Sequence, residues 1–179
     1  MAEEQQNNAG AAGATEAQGQ QFELQRIYLK DLSYESPNAP DVFRKEYTPS
    51  VNVDLRTRSS QINDDNYEVI LTITITAKQE EETAFLVEVQ QAGIFMIRGL
   101  EGESLRQVLS IFCPNMLFPY ARETIDGIVT KGTFPALMLA QVNFEQLYAQ
   151  AVQQAQQQAG VAAEGGQEAA APAGDDASS

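Results

Sequence analysis

Apolar and polar residues alternate along four segments in the first half of the chain, and this period of two predicts β-strands. The clearest run is 67–77, YEVILTITITA, and the runs 51–57 and 83–91 show the same alternation. Polar turns at 63–66 and 78–82 separate these three strands. Because turns this short join neighbouring antiparallel strands, the three strands are predicted to form a meander.

A further strand is predicted at 22–35, FELQRIYLKDLSYE, ahead of the meander. Its alternation changes phase within the segment, which predicts a β-bulge or burial on parts of both faces. The link to the next strand, 36–49, is long, contains three prolines and carries Phe43 and Tyr47. Long loops with aromatic residues of their own usually have a function or cross over to a distant strand.

The second half of the chain changes to a helical period. A first helix, predicted to end at Pro114, is followed by a second helix at about 117–130, which Gly132 ends. A third helix begins at Asn143, which forms a capping-box-like pair with Gln146. The apolar stripe of the first helix consists of Leu105, Val108, Leu109 and Phe112. Strands followed by helices predict an α+β fold, a four-stranded antiparallel sheet with helices packed on one face.

The two ends of the chain differ from its centre in composition. Residues 1–20 and 159–179 are dominated by Ala, Gly and polar residues and contain no aromatic residue. Such segments bury too little apolar surface to offset the entropy of ordering. They are therefore predicted to be a disordered N-terminal tail and a disordered acidic C-terminal tail, and the folded domain is predicted to span 21–158.

The chain is strongly acidic, with 11 Lys and Arg against 25 Asp and Glu and a formal net charge of −14. Nucleic acids and anionic membrane surfaces bind cationic side chains, so neither is predicted to be the main partner. No run of about 18 apolar residues is present, and direct membrane insertion is not expected. The first ten residues, MAEEQQNNAG, lack the features of a secretory signal, and the single cysteine fits a reducing compartment. A cytoplasmic location is predicted.

Residues able to carry catalysis are few. The chain has no histidine, which removes the usual proton shuttle near neutral pH and the commonest zinc ligand. Cys113 lies amid apolar neighbours and is predicted to be a buried, inert thiol. The acidic residues at 64–65 and 80–82 fall in predicted turns, and Glu123 and Asp126 are typical of a solvated helix face. No catalytic residue, metal ligand or cofactor is predicted, and the chain is not expected to be an enzyme.

Apolar surface is in excess of what a small two-layer domain can cover. About 120 ordered residues in two layers leave one sheet face open, so contact with another chain is expected.

The chain contains four separated blocks, QRIYLKDLSYESPNAPDVF (25–43), EETAFLVEVQQAGIF (81–95), CPNMLFPYARE (113–123) and KGTFPALMLAQVNFEQL (131–147). In this order they resemble SecB, the cytosolic protein-export chaperone family of Gram-negative-type bacteria, over about residues 22–150. The chain departs from the family at Lys131, Gln141 and Tyr47, where the family often has arginine, proline and tryptophan. Tyrosine is smaller than tryptophan, so the departure at Tyr47 affects the size of the aromatic pocket that the resemblance implies.

The resemblance implies an ATP-independent cytosolic holdase that keeps precursor proteins unfolded for export and delivers them to the SecA motor. It implies a homotetramer, a dimer of dimers, that binds unfolded precursor polypeptides. The implied client-binding groove is lined by Phe43, Tyr47, Val53, Leu55, Phe134, Phe144 and Tyr148. The implied SecA-binding positions, on the exposed sheet surface, are Asp31, Glu35, Leu86 and Glu88. The C-terminal tail is implied to assist SecA binding.

Two other functions stay open on the residues alone, an acidic scaffold that binds one folded partner and a carboxylate-dependent hydrolase. Suppressed aggregation of several unrelated unfolded proteins would favour the chaperone over the scaffold. Activity abolished by a single Glu→Gln change, with client binding intact, would support the hydrolase.

Overall fold

Four antiparallel strands form one sheet in the order β1-β4-β3-β2, in a computed structural model that describes residues 19–164. The strands are β1 (Gln21–Glu35), β2 (Ser50–Gln61), β3 (Asn66–Gln79) and β4 (Glu82–Arg98). The helices that follow pack on one face of β3 and β4. The predicted α+β fold is therefore confirmed. Although β1 and β2 are consecutive in the chain, they lie at opposite edges of the sheet.

Strands β2, β3 and β4 form the predicted meander and extend beyond the predicted runs. β4 continues to Arg98 even though Gly93 interrupts its large side chains. A Cβ at Gly93 would lie 2.8 Å from the ring of Phe95 and 2.9 Å from Leu117. The glycine therefore leaves space for close packing beneath the helices and does not end the strand.

β1 is distorted at two points, because its register against β4 shifts just after Leu24 and again just after Leu29. The predicted bulge is confirmed. Each shift inserts one residue and reverses the alternation of the strand. The first shift therefore places Ile27 on the same face as Leu24, which a regular strand would not allow, and the second shift brings Leu32 to that face as well.

The connection from β1 to β2 crosses one end of the sheet and is fixed to the hairpin between β3 and β4. Ser36 Oγ donates to the carbonyl of Ala84, and Asn38 Nδ2 donates to the carbonyl of Thr83, both at 2.9 Å. A 3-10 turn at Asp41–Arg44 follows and buries Val42. The crossover predicted from the length of this link is confirmed.

Within the described residues, three helices follow the sheet, namely α1 (Gly102–Gln107), α2 (Cys113–Lys131) and α3 (Phe144–Glu164). A π-helical turn, Val108–Phe112, joins α1 to α2 without leaving helical geometry. The prediction that Pro114 ends the first helix is therefore wrong. Pro114 lies in the first turn of α2, directly after the wider π turn, where the regular i→i+4 hydrogen bonding is already interrupted.

The π turn also divides the predicted apolar stripe of the first helix. Leu109 is buried in the core, whereas Phe112 is 64% exposed. An extra residue in the turn rotates the side chains that follow it, so the regular spacing that suggested a single stripe does not hold across this segment.

The core lies between α2 and the helix-facing side of β3 and β4. Each of its major contributors is fully or almost fully buried. They are Val69, Leu71, Ile73 and Ile75 of β3, Phe85, Val87, Val89 and Phe95 of β4, and Leu117, Phe118, Ala121, Ile125 and Val129 of α2.

α2 ends next to Gly132, as predicted. Glycine is required at this position by close packing and not by backbone conformation, because its φ angle is −73° and any residue can adopt that angle. A Cβ at this position would collide with the hydroxyl of Tyr34 on β1. Thr133, the next residue, takes the left-handed conformation instead, with φ of 66°.

α3 begins at the predicted cap. The amide of Gln146 donates to Asn143 Oδ1 at 3.0 Å, which satisfies one of the unpaired N–H groups of the first turn. Phe144 is buried, but Leu147 further along is 40% exposed. The helix is therefore anchored by its first turn, and much of its apolar side faces open space beside β2.

The predicted domain boundary at 158 falls inside α3, which reaches Glu164. The two predicted tails lie mainly outside the described residues, which leave out 1–18 and 165–179.

Candidate functional site

Three of the predicted groove residues meet in an aromatic cluster at the end of the sheet where the crossover passes. The ring of Phe134 lies 5.2 Å from that of Phe43 and 5.5 Å from that of Tyr47, measured between centroids. Beneath it, Phe85 of β4 lies 5.0 Å away. Phe43 is 48% exposed while Phe134 is buried, so Phe134 is the floor of this cluster and Phe43 its rim.

The crossover holds the rim in place through polar contacts to the β3–β4 hairpin. Lys45 Nζ lies 2.7 Å from Glu82 Oε2, and the buried side chain of Gln79 donates to the carbonyl of Glu46. Both contacts are made by loop residues that lie between Phe43 and Tyr47 in the chain. The aromatic side chains are therefore positioned before any ligand arrives.

Three other predicted residues meet at a second place, between β2 and α3. Leu55, Phe144 and Tyr148 line a cleft of about 350 Å³ together with Leu147 and Ala151. Phe144 forms its base, because its ring packs edge-on against Phe118 of α2 at 6.1 Å. The cleft opens on the surface and is mostly apolar, with hydroxyl groups at its margin.

β2 connects the two places. Val53 lies on the same side of β2 as Leu55, because residues two apart on a strand share a face. Val53 and the neighbouring Val51 are each 38% exposed, although the residues opposite them on β3 are fully buried. The structure thus brings all seven predicted groove residues to one side of the sheet, along a line from the crossover aromatics through β2 to α3.

Two residues of this line were not among the predicted groove residues. Val51 extends the apolar row of β2, and Leu147 faces the cleft from α3. Period-two alternation from Val53 and helical spacing from Phe144 are the signals that point to them.

A polar contact ties α3 to the first helix at the rim of the cleft. The hydroxyl of Tyr148 donates to Glu103 Oε1 at 2.6 Å, and Arg106 lies 2.7 Å from the other oxygen of that carboxylate. The hydrogen bond from Tyr148, followed by the one from Arg106, lowers the pKa of Glu103. All three groups are at the surface, so this contact positions a helix that few buried side chains hold.

The four positions predicted to bind SecA lie together on the opposite face of the sheet, which no described element covers. Glu35 of β1 is paired with Leu86 of β4, and Glu88 of β4 is paired with Ser33 two residues from both Asp31 and Glu35. Thr74 Oγ1 donates to Glu88 at 2.9 Å and orients its carboxylate. Asp31 and Glu35 are exposed, so the four residues form a small acidic surface around one leucine.

A second polar cluster lies further along this open face. Glu68 of β3 accepts hydrogen bonds from the hydroxyl of Tyr28 and from Lys30 Nζ, the latter at 2.7 Å. The bond from Lys30, and then the bond from Tyr28, lowers the pKa of Glu68. Burial, with the neighbouring Glu68, raises the pKa of Tyr28 to about 12. The cluster joins β1 to β3 across β4.

The residues considered for catalysis remain separate. Cys113 is buried, and its burial raises the pKa of the thiol to about 12, so the nucleophilic thiolate is strongly disfavoured. Within residues 19–164, no cluster of three acidic or thiol side chains could hold a metal ion. Glu123 and Asp126 line a shallow depression of about 630 Å³ on α2 that includes none of the predicted site residues.

No helix in the described part of the chain is long and apolar enough to cross a membrane.

Comparison with known proteins identifies the family. The family model described as preprotein translocase subunit SecB matches residues 15–155. The chain is 58% identical to the protein-export protein SecB of Ectopseudomonas mendocina over 159 residues, which cover 89% of this chain and 98% of the relative. It is 59% identical to that of Stutzerimonas stutzeri over 147 residues, which cover 82% of this chain and 89% of the relative.

A solved structure shares the fold. A SecB-like chaperone of Mycobacterium tuberculosis, in complex with a ChAD peptide from an antitoxin, matches with a TM-score of 0.56 at 15% identity. The match covers 68% of this chain and 88% of that chaperone. On the family model and the two relatives, the chain belongs to the SecB family of protein-export proteins.

Proposed function

We propose that this chain is an ATP-independent holdase chaperone of the cytoplasm, which keeps precursor polypeptides unfolded for export and delivers them to the SecA motor. The observation that carries the proposal is the apolar line from Phe43 along β2 to Leu147. Phe43, Val51, Val53 and Leu147 are partly exposed, whereas Phe134 and Phe144 form the buried base of the line. The function is binding, and it requires no catalytic group.

The chemistry of this line suits clients without a fixed sequence. An unfolded polypeptide exposes apolar side chains at irregular intervals, and a receptor for it needs apolar area with few geometric demands. Burial of about 200 Å² of client apolar surface contributes about 5 kcal/mol before the cost of ordering the client. β2 is an edge strand, so its outer backbone groups can also pair with an extended client whatever its side chains.

The SecB-like chaperone of Mycobacterium tuberculosis gives this proposal a precedent. That protein is solved in complex with a peptide from another protein. We infer that this chain also binds polypeptide segments.

We infer further that the working form is a homotetramer, a dimer of dimers. Exposed apolar side chains in two parts of the chain support this inference. Phe22, Leu29 and Leu32 are exposed on the edge strand β1, and Phe112 and Met138 are exposed after the sheet. Contacts between chains would cover them, and native mass measurement should give four chains per particle.

Client binding is tested by dilution of several unrelated denatured proteins into buffer with and without the chain, with light scattering as the readout. The wild type should suppress their aggregation. Phe43→Asp should weaken client binding by about tenfold or more, because a carboxylate replaces an aromatic rim. Arg44→Gln is the matched control, since it makes the same change in net charge at the adjacent position and should bind clients normally.

Suppression of only one of these proteins would favour the acidic scaffold, and no suppression would contradict the chaperone. Unchanged client affinity in Phe43→Asp would remove the crossover aromatics from the groove.

Delivery to SecA is tested separately. Asp31→Lys with Glu88→Lys should weaken binding to purified SecA and leave client binding near normal, because the two positions lie on the face opposite the groove. Glu81→Lys with Glu101→Lys makes the same charge change at exposed positions elsewhere and should have a smaller effect. Equal loss of SecA and client binding in the first variant would contradict the assignment of the two faces.

A further inference from the structure

The open face of the sheet has an excess of carboxylates at one end and an excess of cations at the other. At the end that carries the proposed SecA-binding positions, the outward side chains of β1, β4 and β2 include four carboxylates. We call this end the acidic half, and it consists of Asp31, Glu35, Asp54 and Glu88.

The other end carries cations. We call it the basic half, and its cations are Arg26, Lys30, Arg56 and Arg58, which outnumber the carboxylates of Glu23 and Glu68 at the same end. Arg56 lies level with Asp31, at the boundary between the two halves. Four of the 11 Lys and Arg residues of this acidic chain therefore lie on one part of one surface.

Strand register places the two halves on the same face. Arg58 of β2 is paired with Ile70, and Arg26 of β1 is paired with Ile94. Both partners occupy the outward alternation of the central strands, the same alternation that includes Glu88 four to six residues away. At about 3.3 Å per residue, the centres of the two halves lie about 12 Å apart along the strands.

Some of these charges are already paired within the face. Glu68 holds Lys30 at 2.7 Å, and Asp54 holds Arg56 at 3.0 Å, so the second pair joins the two halves. Among the described residues, neither Arg26 nor Arg58 makes an ion pair. Both are exposed and available to a partner.

We propose that the two halves form one docking surface, on which the motor segment that binds the acidic half through its cations also places an acidic stretch on the basic half. This inference rests on the proposed function, because it takes SecA as the occupant of the acidic half. Complementary charge at both ends fixes the direction in which the segment lies, since a reversed segment would bring like charges together.

Reversing the charges of Arg26 and Arg58 distinguishes this proposal from a partner segment that carries only cations, because the two predict opposite changes in affinity. A segment with cations alone is repelled by the basic half, so reversing Arg26 and Arg58 would strengthen its binding. A segment with an acidic stretch is attracted there, so the same reversal would weaken binding. The experiment measures the dissociation constant of purified SecA at low salt for the wild type and for Arg26→Glu with Arg58→Glu.

We expect the double variant to bind SecA about tenfold more weakly, with normal client binding. Arg44→Glu with Lys131→Glu makes the same charge change at exposed positions off this face, and it should bind more tightly than the double variant. Unchanged or tighter SecA binding in Arg26→Glu with Arg58→Glu would overturn the proposal. If Asp31→Lys with Glu88→Lys still weakens SecA binding in the same assay, the proposed function stands and only this inference fails.

A peptide measurement on the wild type keeps the test independent of variant folding. Two synthetic peptides share four lysines and a two-glycine spacer, and end in four glutamates or four serines. The lysine–glutamate peptide should bind more tightly, and its advantage should be lost in Arg26→Glu with Arg58→Glu. Equal or tighter binding of the lysine–serine peptide to the wild type would overturn the proposal.

Discussion

Strands β3 and β2 are neighbours with the same alternation of side chains, yet their apolar rows have different surroundings. Val69 of β3 is fully buried beneath the helices, whereas Val53 of β2 is 38% exposed. The two rows lie on the same side of the same sheet. The difference is that α2 covers β3 and β4 and stops short of β2.

This comparison shows how one sheet can serve both stability and binding. The central strands are closed by α2, and the edge strand keeps its apolar row open beside a helix held by its first turn. Alternation specifies which residues share a face, but it does not specify whether anything lies above that face. The exposed part of the row is where we expect clients to bind.

The largest effect is expected on the free energy of unfolding, when valine is replaced by alanine in the β3 row and, for comparison, in the β2 row. Val69→Ala should lower the free energy of unfolding by about 2–3 kcal/mol, because it removes two buried methyl groups and leaves a cavity. Val53→Ala should lower it by less than about 1 kcal/mol, because solvent already reaches this side chain. Urea denaturation at equal protein concentration measures both.

Client affinity should show the reverse order. Val53→Ala should bind clients more weakly than the wild type, and Val69→Ala should bind them about as tightly. Similar losses of stability in the two variants would mean that the β2 row is covered in the working assembly.

A smaller effect is expected on the other side of β3. Glu68→Gln should lower the free energy of unfolding by about 1 kcal/mol near neutral pH, since it weakens the hydrogen bonds from Tyr28 and Lys30. The pKa of Glu68 is lowered from its ordinary value of 4.5, so the stabilisation is complete above that value and is lost as the pH falls through the lowered pKa.

The pKa of Tyr28 is raised from 10.0 to about 12, so its contribution is complete below pH 10 and is lost as the pH rises through about 12. The stability difference between wild type and Glu68→Gln should therefore be greatest from about pH 5 to pH 10 and shrink on both sides. A difference that does not vary with pH would show that Glu68 acts only through packing.

The smallest effect is expected at the wall of the groove. Tyr148→Phe should leave global unfolding unchanged and speed amide hydrogen exchange in the first turns of α3, because the contact to Glu103 is lost. The pKa of Glu103 is lowered, so the contact is present above the ordinary carboxyl value and is lost as the pH falls through the lowered pKa. Wild type and variant should converge in acid, and Tyr120→Phe is a control with an exposed hydroxyl on α2.

Much of the fold was predictable because local patterns and tertiary structure agree. The alternation of 67–77, the phase change in 22–35 and the cap at Asn143 each correspond to a feature of the structure. Pro114 and Phe112 were misread because a π turn breaks the helical period, and no residue type signals such a turn.

The residues of the groove and of the open face could not be predicted from the pattern of apolar and polar residues alone. Family resemblance supplied their residues, and only the register shows that the basic half shares a face with Glu88. The buried positions of Phe134 and Phe144 could not be predicted from sequence, because they depend on long-range packing against Phe85 and Phe118.

The strand order determines when the groove can form during synthesis of the chain. β1 pairs with β4, the last strand to be synthesised, and the loop carrying Phe43 is fastened to the hairpin that begins β4. The aromatic cluster then needs Phe134, which comes later still. A nascent chain therefore acquires its binding surface only after the segment that carries Phe134 has been synthesised, and a chain that has not reached this segment has no finished groove with which to bind a neighbour.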